Sequence, residues 1–267
     1  MSNKANRDSW NKLSNYYQSS NRISLNDIHY APYGPGEKSL KVVGDVKNLE
    51  ILDMGCGGGQ NSIVLKKWGA KKVVALDQSD EQLNYAKNLA KENKMNIHFV
   101  QGNMEDLSIF IAANFDLVFT SHDITYVTDM KKVFFEVFRV LKSKGRFVMC
   151  TLHPMMSVIW DAVEKDSFDK INNYFEKKRE FWSWNNKEGK KISSFGSTYP
   201  KFETILNGLI EAGFKIEKIV EPKGFTLEQV KDLGNKVPYR DETMINEKFI
   251  EINQKIPFSL IISSLKE

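Results

Sequence analysis

The chain has 267 residues, 41% of them hydrophobic, and 38 Lys and Arg against 34 Asp and Glu give a net charge of +4. That length supports one substantial core or one core with an inserted subdomain, and the charges are mixed rather than blocked, which argues against a strong nucleic-acid footprint. Two distant cysteines, Cys56 and Cys150, argue against a disulfide framework or structural zinc; with a polar start and no bilayer-length apolar run, the expectation is a soluble cytoplasmic protein without a membrane partner.

In chain order, "WNKLSNYY" places Trp10, Leu13 and Tyr17 on one helical face, which predicts a helix laid over a groove as a lid, with Tyr16 or Tyr17 reaching a ligand. "HYAPYGPGE" is too rich in Pro and Gly for a helix and reads as an ordered loop closing one side of a pocket. Residues 1–39 are therefore an N-terminal helix and lid loop. Over 40–151, short apolar runs alternate with amphipathic stretches, the pattern of βαβ units and a parallel sheet. Strands are predicted at "LEILDM", "KKVVAL", "IHFVQ", "FDLVFT" and "RFVMCTL", with Ser79 as a helix N-cap and a strongly amphipathic helix at "DMKKVFFEVFRVLK". The rhythm breaks over 152–198, read as a cap inserted after the fifth strand. Residues 199–267 complete the sheet with the helix "KFETILNGLIEAG", the strand "FKIEKIVEP", a second polar insertion and a last strand "FSLIISSL". The expected fold is α/β: a Rossmann-like, doubly wound, mostly parallel seven-stranded sheet with an antiparallel last strand.

"ILDMGCGGGQ", residues 51–60, joins the first strand to a helix through four glycines. A phosphate-cradling loop would end in Gly-Lys-Ser or Gly-Lys-Thr, and this one ends in Gly59-Gln60-Asn61; a dinucleotide fingerprint needs a third glycine where Gln60 stands. What remains is Asp53, Gly55, Gly57 and Gly59, with Asp77 at the end of the next strand. S-adenosylmethionine matches that set: an ammonium for an acidic loop, two ribose hydroxyls for a carboxylate one strand away, and no phosphate.

"ILDMGCGGG", "VVALDQS", "VQGNMEDL", "FDLVFTSHDITYV" and "EVFRVLKSKGRFVM", in this order and spacing, resemble class I S-adenosylmethionine-dependent methyltransferases, and "LIEAGFKIEKIVEP" continues the likeness. "HYAPYGPGE" and the His-Pro at His153 further resemble small-molecule-type members. The resemblance implies that Asp53, Gly55, Cys56, Gly57 and Gly59 wrap the methionine end and that Asp77 with Gln78 holds the ribose and adenine edge. It also implies that Asn103 and Met104, where the family often has Asp-Ala, meet the adenine, and that Thr120, Ser121 and His122 lie beside the sulfonium. Tyr17 is the candidate for the cofactor's carboxylate.

Methyl transfer needs a base only if the acceptor must lose a proton. His29, His122 and His153 fall in segments expected around the carboxyl edge of the sheet and are candidate bases, each also readable as a loop histidine bonded to backbone; Tyr126, spaced for the pocket wall, joins them as a catalytic candidate whose hydroxyl bonds the acceptor or simply packs. Asp123 could orient His122, although adjacent side chains often point apart. The aromatics Trp160, Phe168, Tyr174, Phe175 and "FWSW" at 181–184 suit an acceptor pocket or the cap's own core, and "KKR" at 177–179 an anionic acceptor or a solvated face. No metal-ligand spacing is present. The reading is a methyltransferase acting on a small-molecule acceptor, as a monomer or homodimer. The alternatives are a tRNA wobble-nucleoside methyltransferase and a non-catalytic S-adenosylmethionine-binding module.

Overall fold

The structure, a computed structural model, describes residues 3–165, 167, 170–176, 179–241 and 247–267. Helix α1 (Asn3–Ser20) leads into a short strand β1 (Asn21–Ile23) and a one-turn helix α2 (Glu37–Leu40). The alternating core follows: β2 (Glu50–Met54), α3 (Gln60–Lys67), β3 (Lys72–Asp77), α4 (Asp80–Glu92), β4 (His98–Gln101), β5 (Phe115–Ser121), α5 (Met130–Val140) and β6 (Leu141–Leu152). Later elements are α6 (Pro154–Lys165), β7 (Arg179–Asn185), β8 (Lys191–Thr198), α7 (Phe202–Glu211), β9 (Phe214–Val220), α8 (Leu227–Leu233), β10 (Tyr239–Asp241), α9 (Glu247–Asn253) and β11 (Ser259–Lys266).

The central sheet has seven strands in the order β4-β3-β2-β5-β6-β11-β9. Neighbours from β4 to β6 pair parallel, and β11 pairs antiparallel with both β6 and β9. The doubly wound sheet and its antiparallel last strand are as the sequence predicts. Alternate residues of one strand feed opposite faces: Leu52 and Met54 join Val118, Phe147 and the α5 residues Val133, Phe134 and Val137, while Ile51 joins Val73, Leu117, Val148 and the α3 and α4 residues Ile63, Val64 and Leu83. Both faces are covered by helices, which is why these strands read as continuous apolar runs. Ser79 caps α4 by accepting the Gln82 N–H at 3.1 Å, so that helix starts beside the end of β3.

The chain leaves β2 toward β3 on one side, and β5 flanks β2 on the other. At such a switch point the strand ends open a crevice. The segment 152–198, whose period the sequence does not reveal, contains α6 and a β-hairpin, β7 pairing antiparallel with β8. That hairpin rests on α1: Asn6 donates to the Gly196 carbonyl at 2.8 Å and accepts the Gly196 N–H at 3.0 Å. The second insertion adds β10, which pairs with β1 in the register Asn21↔Asp241, Arg22↔Arg240 and Ile23↔Tyr239. Tyr33, Val230, Val237, Phe249 and Ile250 form the small buried cluster that ties this insertion to the N-terminal loop. Among the described residues no helix is long and apolar enough to cross a membrane.

Candidate active site

The glycine loop turns directly after β2. Gly55, Gly57 and Gly59 all have positive φ, at 75°, 51° and 78°, a region that costs other L-residues strain. A Cβ added at Gly55 would lie 2.4 Å from Asp123 Cγ, one at Gly58 2.4 Å from Gln18 Nε2, and one at Gly59 2.9 Å from Ala86 Cβ; at Gly57 it would meet nothing within 4 Å. The loop is thus packed at three glycines and open at the fourth, on a cavity of about 1100 Å³.

Asp53, Asp77 and Asp123 all line this cavity. Ser62 donates to Asp53 Oδ2, and burial still pushes the Asp53 carboxyl up to about 7, with the Asp77 charge adding to the rise. Burial also raises Asp77, and lifts Asp123 well above the usual carboxylate range with help from Asp77 and Asp53. Among the described residues the only Lys or Arg lining the cavity is Arg179, whose guanidinium donates to the carbonyls of Tyr126, Val127 and Gly196. Two buried carboxylates, Asp53 and Asp77, beside the half-buried Asp123, with the Asp77 charge raising both of the others, suit a ligand that brings its own positive charge. A sulfonium with an ammonium satisfies that demand; a dinucleotide phosphate would add to the repulsion.

Asp77 also shapes the loop. Its Oδ2 accepts the Gly57 N–H and its Oδ1 the Ser79 N–H, both at 2.8 Å, and a carboxylate retains further lone pairs for hydroxyl donors. Gln78, Cys56, Asn103, Met104 and Ser121 line the same cavity. Asn103 Oδ1 accepts the Glu105 N–H at 3.0 Å, so its side chain is held by its own turn.

α1 and the hairpin roof the cavity. Gln60, the residue that breaks the dinucleotide fingerprint, donates to Gln18 Oε1 at 2.7 Å, and Gln18 donates to Gln82 Oε1 at 2.8 Å. This chain of amides fastens α1 across the glycine loop. Asn11 strengthens the seam by accepting from the Ser79 hydroxyl at 2.6 Å. Beyond the loop the walls turn aromatic: Trp10 packs edge-on to Tyr17 and Tyr126, Tyr17 packs edge-on to Trp184, and Trp182 stacks on Phe195 at 4.8 Å. Trp182 Nε1 donates to the Ser197 hydroxyl at 2.9 Å. Phe168, Lys177 and Lys178, singled out in the sequence, lie outside the described residues.

The three candidate histidines separate. His153 leaves the site: its Nδ1 accepts the Met155 N–H at 3.1 Å, its Nε2 donates to Glu221 at 2.8 Å, and it is absent from the described cavity lining, so its ring anchors the start of α6. His29 lines the cavity, but burial, followed by the neighbouring His122, lowers its pKa to about 3. That makes it a weak base. His122, also in the lining, donates Nε2–H to the Tyr30 carbonyl at 2.6 Å, and burial lowers its pKa. Asp123 does not orient it; that carboxylate faces Gly55 and Thr120. Sequence reasoning undervalued Asp123, and it missed Gln18, Tyr239 and Asp241, all in the cavity lining. A polar residue inside an amphipathic helix, Gln18, was the one available signal.

The profile of the methyltransferase domain family matches residues 45–208. The chain belongs to that family. The methyltransferase is 30% identical to the uncharacterised methyltransferase YbaJ of Bacillus subtilis over 69% of its own length and 73% of the relative's. It is 32% identical to the demethylmenaquinone methyltransferase of Lactococcus lactis, over 66% of its own length and 70% of the relative's. Its fold matches a crystal structure of an S-adenosylmethionine-dependent methyltransferase from Mesorhizobium loti with a TM-score of 0.59 at 20% identity, covering 85% of this chain and 96% of the other. The methyltransferase is an enzyme, and the solved structure whose fold it shares is named for dependence on S-adenosylmethionine.

Proposed function

We propose that the enzyme methylates a small, partly aromatic or apolar acceptor held under the roof of α1 and the β7–β8 hairpin. One observation carries the reading: the cavity that begins at Gly57 continues between Trp10, Tyr126, Trp182 and Trp184, an apolar chamber sized for a metabolite. A wobble nucleoside within tRNA would instead call for a basic approach to the site; Arg179 is the single cation among the described lining residues. The Lactococcus relative is named for a quinone-type acceptor, a class that this chamber would also suit.

In this reading Asp53, Gly55, Cys56 and Gly57 hold the methionine end, with Asp123 as a further carboxylate for its ammonium, while Gly59, expected there from the sequence, packs on Ala86 outside the described lining and only turns the loop. Asp77 and Gln78 hold the ribose, Asn103 and Met104 border the adenine, and Ser121 lies at the end of β5 beside the sulfur. When bound, S-adenosylmethionine supplies an electrophilic methyl group on a positively charged sulfur. The chain's contribution is alignment and exclusion of water: the Gln60-Gln18-Gln82 amides hold the roof closed, and Trp10 and Tyr126 bound the volume in which the acceptor lies in line with the methyl group. Tyr126 and His122 are walls of the acceptor side, with His122 kept neutral by burial. The enzyme is proposed to work in the cytoplasm, as a monomer or homodimer.

Calorimetric titration with S-adenosylmethionine, S-adenosylhomocysteine and NAD, followed by an acceptor screen of aromatic metabolites and unmodified tRNA, tests the proposal. Micromolar binding of both sulfur ligands, none of NAD, and turnover of a metabolite are expected. Turnover of tRNA alone would overturn the small-molecule reading, and binding without turnover of any acceptor would favour a non-catalytic module.

A further inference from the structure

A hydrogen-bonded chain that neither the glycine loop nor the histidines use runs along one wall of the cavity. Tyr17 Oη lies 2.8 Å from Tyr239 Oη, and Tyr239 Oη donates to Asp241 Oδ2 at 3.4 Å. All three residues line the cavity, and Tyr239 and Asp241 are buried. They come from α1 and from the second insertion, brought together by the pairing of β1 with β10.

The direction of the chain follows from proton counting. A phenol has one proton. Tyr239 gives its proton to the Asp241 carboxylate, so it receives the one from Tyr17. Tyr17 Oη is then left with lone pairs and no proton to offer. It can accept a hydrogen bond from a ligand and cannot donate one, so it is unsuited to the cofactor's carboxylate. Its ring packs 5.5 Å from both Trp10 and Trp184, in the aromatic part of the chamber, whereas Asp53 and Asp123 line the part of the cavity beside the glycine loop.

We propose that Tyr17, Tyr239 and Asp241 form the exit path for the acceptor's proton, and that the acceptor presents a hydroxyl, phenolic or enolic, to Tyr17. This rests on the proposed small-molecule reading and deepens it by naming the nucleophile as oxygen. As the acceptor oxygen forms its bond to the methyl carbon, the carbon–sulfur bond breaks and its electron pair stays on sulfur as a neutral thioether. The acceptor O–H proton passes to Tyr17 Oη, the Tyr17 proton to Tyr239 Oη, and the Tyr239 proton to the Asp241 carboxylate, which becomes neutral. Tyr17 is the catalytic residue of the three; Tyr239 and Asp241 act through it and are positioning residues.

The test compares 2-naphthol with its methyl ether, 2-methoxynaphthalene, by fluorescence titration of the full-length enzyme saturated with S-adenosylhomocysteine. The wild-type enzyme prefers the hydroxyl probe by roughly tenfold, the worth of one good hydrogen bond to a donor the ether lacks. In Tyr239→Phe and in Asp241→Leu, which leaves Tyr239 no side-chain acceptor at that position, the Tyr17 proton is no longer committed, and the ratio of the two dissociation constants falls toward one. A merely structural loss would weaken both probes alike and leave the ratio unchanged, and an unchanged ratio in both variants overturns the proton path. Failure of the wild-type enzyme to bind either probe would instead overturn the aromatic acceptor chamber on which the path depends.

Discussion

Gly55 and Asp123 occupy complementary space: the missing side chain of the first loop glycine is where the carboxylate of Asp123 lies, and a Cβ there would fall 2.4 Å from its Cγ. Gly55→Ala therefore displaces a carboxylate of the proposed methionine pocket and adds about 1–2 kcal/mol of left-handed backbone strain. Gly57→Ala carries a similar backbone cost, yet its Cβ points into open cavity. Both variants should lose more than tenfold in S-adenosylmethionine affinity by calorimetry, with the larger fall in melting temperature for Gly55→Ala.

Asp77→Ala should weaken cofactor binding by about 1–3 kcal/mol through unpaired ribose hydroxyls. It should also lower the melting temperature, because the Gly57 and Ser79 N–H groups lose the acceptor that now sits at 2.8 Å from each. His122→Ala should leave S-adenosylhomocysteine affinity nearly intact, since its ring bonds to the Tyr30 carbonyl rather than to the glycine loop. Equal losses of affinity in the two variants, read by calorimetry, would contradict the roles given to them.

The carboxylate cluster makes stability depend on pH in an unusual direction. Asp53 rises from 3.8 to about 7 in the folded chain, so the native state holds a proton that the unfolded state releases. Its contribution is fully present below about pH 4 and is lost as pH rises through about 7. Other carboxylates slope the opposite way; Glu50, for instance, is held down to about 2 by Lys142 and Lys71. The Asp53 effect is therefore read as a difference: the melting temperature of wild type minus that of Asp53→Asn should fall between pH 5 and 8 without cofactor. Saturating S-adenosylmethionine should flatten that fall.

Gln18→Ala removes both the acceptor of Gln60 and the donor to Gln82. Leaving those buried amides short of partners should lower unfolding free energy by about 2 kcal/mol. It should also loosen α1 from Gly58, measured as faster proteolysis within residues 3–20 and a weaker S-adenosylhomocysteine titration than that of the wild-type enzyme.

The sequence by itself determined the doubly wound core and the glycine loop flanked by Asp53 and Asp77. These are local signals: apolar runs that must be buried between two helical layers, glycines at positive φ, and a carboxylate one strand away all lie within short, periodic stretches. Only the tertiary structure decided which histidines reach the cavity, because a loop histidine turns toward or away from a pocket according to partners far along the chain, as Glu221 does for His153. The same holds for the roof. Asn6 meets Gly196 and Tyr17 meets Tyr239 across 190 and 222 residues, and contacts at that separation carry no period or spacing in the sequence. The proposed donor site was legible because one βαβ unit builds most of it; the proposed acceptor chamber was not, because separate segments close it by packing.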